Sequence, residues 1–131
     1  MRFKECSNYI TDWLLKYSDE SKTDGFVVGI SGGIDSAVAS TLAAKTNKRV
    51  LCLEMPIYQQ IDQVNRAQEH INWLKKKFNN VSSILLNLDE TYDYFKKTLD
   101  QLRENYSVLE GNQEQRLRKA IAVIDKLLKK T

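Results

Sequence analysis

The chain has 131 residues, enough for one domain with a single core and too short for two. With 42% hydrophobic and 28% charged residues its composition is ordinary for a soluble globular protein, and no apolar run approaches the ~20 residues that a membrane span requires. The net charge of +3 is mild and scattered, which argues against a nucleic-acid partner. The N-terminal Met1-Arg2-Phe3-Lys4-Glu5 lacks the apolar core of a signal peptide, so the cytoplasm is the expected location.

Phe3, Cys6, Ile10, Trp13, Leu14 and Tyr17 recur at three- and four-residue steps and predict an amphipathic helix over residues 3–17. A polar loop from Ser18 to Gly25 follows, with Asp24-Gly25 as its turn signal. Residues 26–30 form a strand apolar on both faces, as in a parallel sheet covered on each side. A glycine-rich bend leads into a helix from about Asp35 to Lys45, closed by Asn47 and Lys48. Arg49 to Met55 reads as a second buried strand ended by Pro56, and residues 59–78 as a long helix with Ile61, Val64, Ile71, Leu74 and Phe78 on one face.

Asn79-Asn80 breaks that helix, and Ile84 to Leu88 reads as a third strand. Thr91 to Asn105 is a further helix with Tyr92, Phe95, Leu99 and Leu102 inward. After Gly111-Asn112, a last helix carries Leu117, Ala120, Ile121, Ile124, Leu127 and Leu128 on one side. This order predicts an α/β fold: an open parallel sheet of about three strands with helices on both faces and right-handed crossovers. Cys6 and Cys52 lie outside any C-x-x-C spacing and are expected to be small buried hydrophobes. His70 has no cysteine or second histidine to share a zinc ion with, and reads as helix surface or packing.

The chemistry concentrates in Gly29-Ile30-Ser31-Gly32-Gly33-Ile34-Asp35-Ser36, where strand, bend and helix start succeed one another. Amides at such a helix start have no intrahelical partners, and the helix dipole adds partial positive charge there. Gly32 and Gly33 let the backbone approach a ligand closely. The hydroxyls of Ser31 and Ser36 add donors, and the Asp35 carboxylate can hold a magnesium ion against phosphate oxygens. The loop is not a Walker A motif, because no lysine occurs between Lys22 and Lys45, and its glycines miss the G-x-G-x-x-G spacing. Ligands of open α/β sheets bind beyond the carboxyl ends of the strands, where this loop emerges.

The string S-G-G-x-D-S resembles the loop of the PP-loop ATP pyrophosphatases, which split ATP between its α and β phosphates and pass AMP to an acceptor. Within that group the chain is similar to the ammonia-dependent NAD synthetases. The likeness rests on residues 25–37, on Val50-Leu51-Cys52-Leu53-Glu54-Met55-Pro56-Ile57, on Glu69 to Leu74, and more weakly on Gly111-Asn112-x-x-x-Arg116-x-Arg118.

The resemblance implies a Rossmann-like, adenine nucleotide α-hydrolase-like fold with the first three strands in the order 3-2-1. It also implies a reaction in which ATP adenylates deamido-NAD and ammonia displaces AMP to give NAD. Carried over by position, Gly29, Ile30, Ser31, Gly32, Gly33, Ile34, Asp35 and Ser36 bind ATP, Asp35 contributes to Mg2+, and Arg116 meets the dinucleotide. No residue is assigned a catalytic role, and a solvated helix face is the competing reading for Arg116 and Arg118.

The family continues with further strands and ligands, whereas Lys119 to Thr131 do not match it. Residues 1–131 therefore read as a single PP-loop ATP-binding domain, incomplete on its C-terminal side, corresponding to the family's N-terminal half and deficient in synthesis. A homodimer, as in the family, or association with a completing chain is expected. The alternatives are a non-catalytic nucleotide-binding or assembly module, and another PP-loop adenylating enzyme such as one acting on tRNA.

Overall fold

The computed structural model describes residues 2–102 and 106–128. Its elements in chain order are α1 (Phe3–Glu20), β1 (Gly25–Gly29), α2 (Ile34–Lys45), β2 (Arg49–Glu54), α3 (Ile61–Lys77), β3 (Val81–Leu85), α4 (Asp89–Leu102) and α5 (Gln113–Leu128). The chain divides into two compact units, the first ending at Tyr92 and the second beginning at Asp93.

In the first unit the three strands pair in parallel, in the order β1-β2-β3. Val28 registers on Cys52, and Cys52 on Ser83. Because sequential strands lie side by side, two right-handed crossovers place their helices on the same face. The core shows this arrangement. Val50 and Cys52 of β2 are buried with Ala43 and Ala44 of α2 and with Ala67, Ile71 and Leu74 of α3. Small residues on α2 allow it to sit close to the sheet, while Ala67, Ile71 and Leu74 recur at helical spacing. Ile71 and Leu74 are fully buried, so truncating either to alanine costs about 2–5 kcal/mol.

The opposite face is open at β1, where Val27 is 68% exposed. Strand β1 is thus not buried on both sides as its composition predicts. The third strand also differs from expectation, running from Val81 to Leu85 rather than from Ile84 to Leu88. Its position is fixed by the ladder to β2, and the apolar run overshoots the strand's end. Leu86 N–H still donates to Glu54 O at 2.8 Å, and Leu88 N–H to Pro56 O at 3.0 Å.

At the other end of the sheet, the Asn80 amide donates to Ala44 O and to Lys48 O at 2.9 and 2.6 Å. This clamp closes the α2–β2 turn, in which Asn47 adopts φ +61°. Cys52 is buried as expected, but Cys6 is exposed. Helix α1 packs on α2, with Ile10 and Leu14 of its apolar stripe half-buried, while Phe3, Trp13 and Tyr17 stay exposed.

Neither α4 nor α5 has a buried residue, against the inward face predicted for α4. Of that face only Leu99 is half-buried. The predicted end of α4 at Asn105 lies outside the described residues. In the second unit, Asn112 Oδ1 accepts from Gln115 N–H at 3.0 Å, and Gln115 Oε1 accepts from Asn112 N–H at 2.9 Å. This reciprocal box caps α5. No described helix is long and apolar enough to cross a membrane.

Candidate functional site

The site begins where β1 runs out. Ile30 N–H still donates to Leu53 O at 2.9 Å, and the chain then turns through Ser31 and Gly32, which takes φ +76°. Gly33 is the N-cap of α2. Ser36 Oγ donates to Gly33 O at 3.0 Å and accepts from Ser31 N–H at 3.2 Å. With its single proton so used, Ser36 Oγ accepts again from the Ser31 hydroxyl at 3.2 Å, and Ser31 Oγ in turn accepts from Gly33 N–H at 3.3 Å. The two serines therefore hold the bend in shape through long, weak bonds that a ligand can replace.

The first turn of α2 leaves the amides of Ile34, Asp35 and Ser36 without a hydrogen bond among the described residues. These donors, at the positive end of the helix dipole, are suited to an anion.

A second wall faces the loop. Gly32, Gly33 and Ser36 line a cleft of 330 Å³ together with Arg66, Glu69 and His70 of α3. Contact between loop and wall is direct. A Cβ on Gly32 would lie 2.4 Å from Gln63 O, so only glycine admits this approach at this backbone angle. Arg66 Nε–H points at Gly32 O from 3.4 Å. Ser40 Oγ is fully buried, donates to Ser36 O at 2.7 Å and stands 2.9 Å from His70 Nε2. When the hydroxyl proton goes to Ser36 O, the Ser40 oxygen accepts from the Nε2–H tautomer of His70. Burial lowers the His70 pKa, which favours the neutral ring.

Of the residues that the sequence singles out, Ile30, Gly32, Gly33, Ile34 and Ser36 line the cleft, and Ser31 braces it. Gly29 is the last residue of β1 and is exposed. Asp35 is exposed in the first turn of α2 and is not among the lining residues. Arg116 belongs to the second unit, in the first turn of α5, with its N–H donating to Asn112 O at 3.0 Å. Arg118 is paired with Glu114 on the same helix. Arg66 and His70 were not legible as site residues. Their spacing of four puts them on one helix face, but nothing local says that this face meets the loop.

A profile of the NAD synthase family matches residues 6–125, so the likeness extends past Arg118 into residues 119–125, which the sequence alone placed outside it. The chain belongs to that family. It is 33% identical to the NH(3)-dependent NAD(+) synthetase of Pyrobaculum aerophilum over 122 residues, which is 91% of this chain and 44% of the relative. Identity to the NH(3)-dependent NAD(+) synthetase of Thermococcus kodakarensis reaches 53% over 55 residues, covering 40% of this chain and 22% of that protein. Among solved structures, NMN synthetase from Francisella tularensis superimposes with a TM-score of 0.71 at 31% identity, over 81% of this chain and 41% of that one. The NH3-dependent NAD synthetase from Campylobacter jejuni gives 0.68 at 26%, over 82% and 44%. The family's Rossmann-like fold, read from the sequence, is the fold observed. The chain thus spans less than half the length of these relatives.

Proposed function

We propose that this chain binds the phosphates of ATP in its 29–36 loop, as the nucleotide site for ATP-dependent amidation of deamido-NAD by ammonia. The observation that carries this reading is the set of unpartnered amides at the start of α2, ringed by Ser31 and Ser36 at the carboxyl end of β1 in a chain of the NAD synthase family. In the proposed reaction the nicotinate carboxylate attacks the α-phosphorus and pyrophosphate leaves. Ammonia then attacks the acyl carbon, AMP departs, and a proton is released. Oriented amides act on the charge that builds on the leaving pyrophosphate, which is the largest contribution such a loop can make.

The described residues contain no group of three or more His, Cys, Asp or Glu side chains able to hold a metal ion. The exposed carboxylate of Asp35, in the first turn of α2, suits magnesium held mainly by substrate phosphates and water rather than by a protein cage. Magnesium bound there would neutralise phosphate charge. Arg116 is proposed to meet the dinucleotide.

Titration calorimetry with ATP and magnesium tests the reading. Weak binding is expected, and the absence of heat at about millimolar ATP would refute a formed cradle. The share of the relatives' length that the chain spans supports a second expectation, that NAD formation by the chain alone stays near background. The likeness to an NMN synthetase makes the nicotinate mononucleotide a second acceptor to include in that assay.

A further inference from the structure

The anion cradle has a charge problem that its backbone does not solve. A helix start supplies about half a positive charge, whereas a triphosphate or free pyrophosphate brings three to four negative ones. Among the residues lining the cleft, Arg66 is the sole cation. Glu69 adds a negative charge, and the neutral His70 ring adds none. Arg66 has no salt bridge to a carboxylate among the described residues. Its one hydrogen bond is the long Nε contact to Gly32 O. That contact turns the guanidinium toward the bend, and its terminal N–H groups remain unspent. A guanidinium offers a planar fork that meets two phosphate oxygens at once.

We propose that Arg66 is a ligand-binding residue of this site, whose guanidinium takes the pyrophosphate portion of the nucleotide from the α3 side while the start of α2 takes it from the other. The inference rests on the nucleotide reading of the loop. It assigns the α3 wall a part in binding, and it predicts discrimination by charge. Pyrophosphate and ATP feel Arg66 strongly, whereas AMP, with one phosphate, feels it little.

The test is titration calorimetry on the 131-residue chain and on its Arg66→Ala and Arg66→Lys variants, with inorganic pyrophosphate, ATP and AMP as probes. Arg66 is exposed, so both variants should fold, which circular dichroism checks. For Arg66→Ala, affinity for pyrophosphate and ATP is expected to fall about 10- to 100-fold. AMP affinity should change less than about twofold, and Arg66→Lys should recover part of the loss as a point charge. Unchanged pyrophosphate affinity in Arg66→Ala, with the parent chain binding normally, overturns the Arg66 assignment and leaves the nucleotide reading standing. An equal loss for AMP also overturns it, because Arg66 would then act by bracing Gly32. Failure of the parent chain to bind either pyrophosphate or ATP removes the nucleotide reading and the Arg66 assignment with it.

Discussion

Replacing Gly32 by alanine isolates the contact on which the site is built. Two separate penalties apply. The first is conformational: at φ +76° an L-residue is strained by about 1–2 kcal/mol. The second is steric, since the new Cβ would sit 2.4 Å from Gln63 O, a backbone atom of α3. Restoring an ordinary C···O separation of about 3.3 Å requires the loop and α3 to part by about 1 Å. Overpacking of that kind typically costs about 1–3 kcal/mol.

The sum, about 2–5 kcal/mol, is a large part of the stability of a small domain. It corresponds to a fall of about 10 °C in Tm near the middle of the range. Gly33→Ala is the matched control. Its φ is −93°, and its Cβ would meet only the Ser31 hydroxyl, at 3.3 Å. The remaining penalty is that of an alanine N-cap, below about 1 kcal/mol. Urea unfolding of the three proteins measures both effects. If Gly32→Ala unfolds within about 0.5 kcal/mol of the parent, the close approach of loop and helix is wrong, and so is the second wall of the cleft.

Asp35→Asn should abolish the magnesium-dependent part of nucleotide binding and leave the fold intact; stronger binding to equal extents with and without magnesium would show that Asp35 is no metal ligand. His70, whose pKa burial lowers, contributes stability that is complete above the ordinary value of 6.5 and is lost as pH falls toward the folded value. His70→Gln should therefore flatten the decline of stability between about pH 7 and pH 5, and an unchanged slope would contradict this. Glu54 has the opposite sign: burial raises its pKa, with Lys75 offsetting part of the rise, so stability falls as pH climbs through the raised value. Glu54→Gln should be the more stable protein at neutral pH, and equal urea midpoints at pH 7 and pH 4 would refute the buried-charge account. Val27, exposed on the strand at the edge of the sheet, should promote self-association that Val27→Lys weakens; light scattering over a concentration series that finds the parent chain monomeric throughout would remove the expected homodimer.

The strand–bend–helix succession at residues 29–36 is legible because three signals fall on the same residues. An apolar run ends, glycines follow, and a helical pattern starts at about Asp35, one residue after the observed start of α2 at Ile34. The apolar run Ile84–Leu88 lies three residues further along than the third strand itself because Val81-Ser82-Ser83 looks polar in isolation. Their place in the ladder with β2 is a long-range property. Cys6 fits an apolar stripe by spacing, but no periodicity says how much of that stripe α2 will cover. Arg66 is inconspicuous in the sequence for a related reason. An arginine on a helix is ordinary, and only the crossover geometry brings it to the cleft. In the G-N-x-x-x-R segment, the Asn112–Gln115 box gives the asparagine a capping role that requires no ligand.

Helix α3 is a strut with two loaded ends. Its last turns anchor in the core through Ile71 and Leu74, and its first half carries Gln63 against Gly32 and Arg66 into the cleft. Leu74 lies eight residues beyond Arg66, about 12 Å along the axis. A change of side-chain volume at that buried end would slide or tilt the whole rod, and so alter the width of the cleft at its far end. Affinity for the proposed anion would therefore drift through substitutions that never approach it, and variants selected for thermal stability at Leu74 would carry altered binding as a passenger.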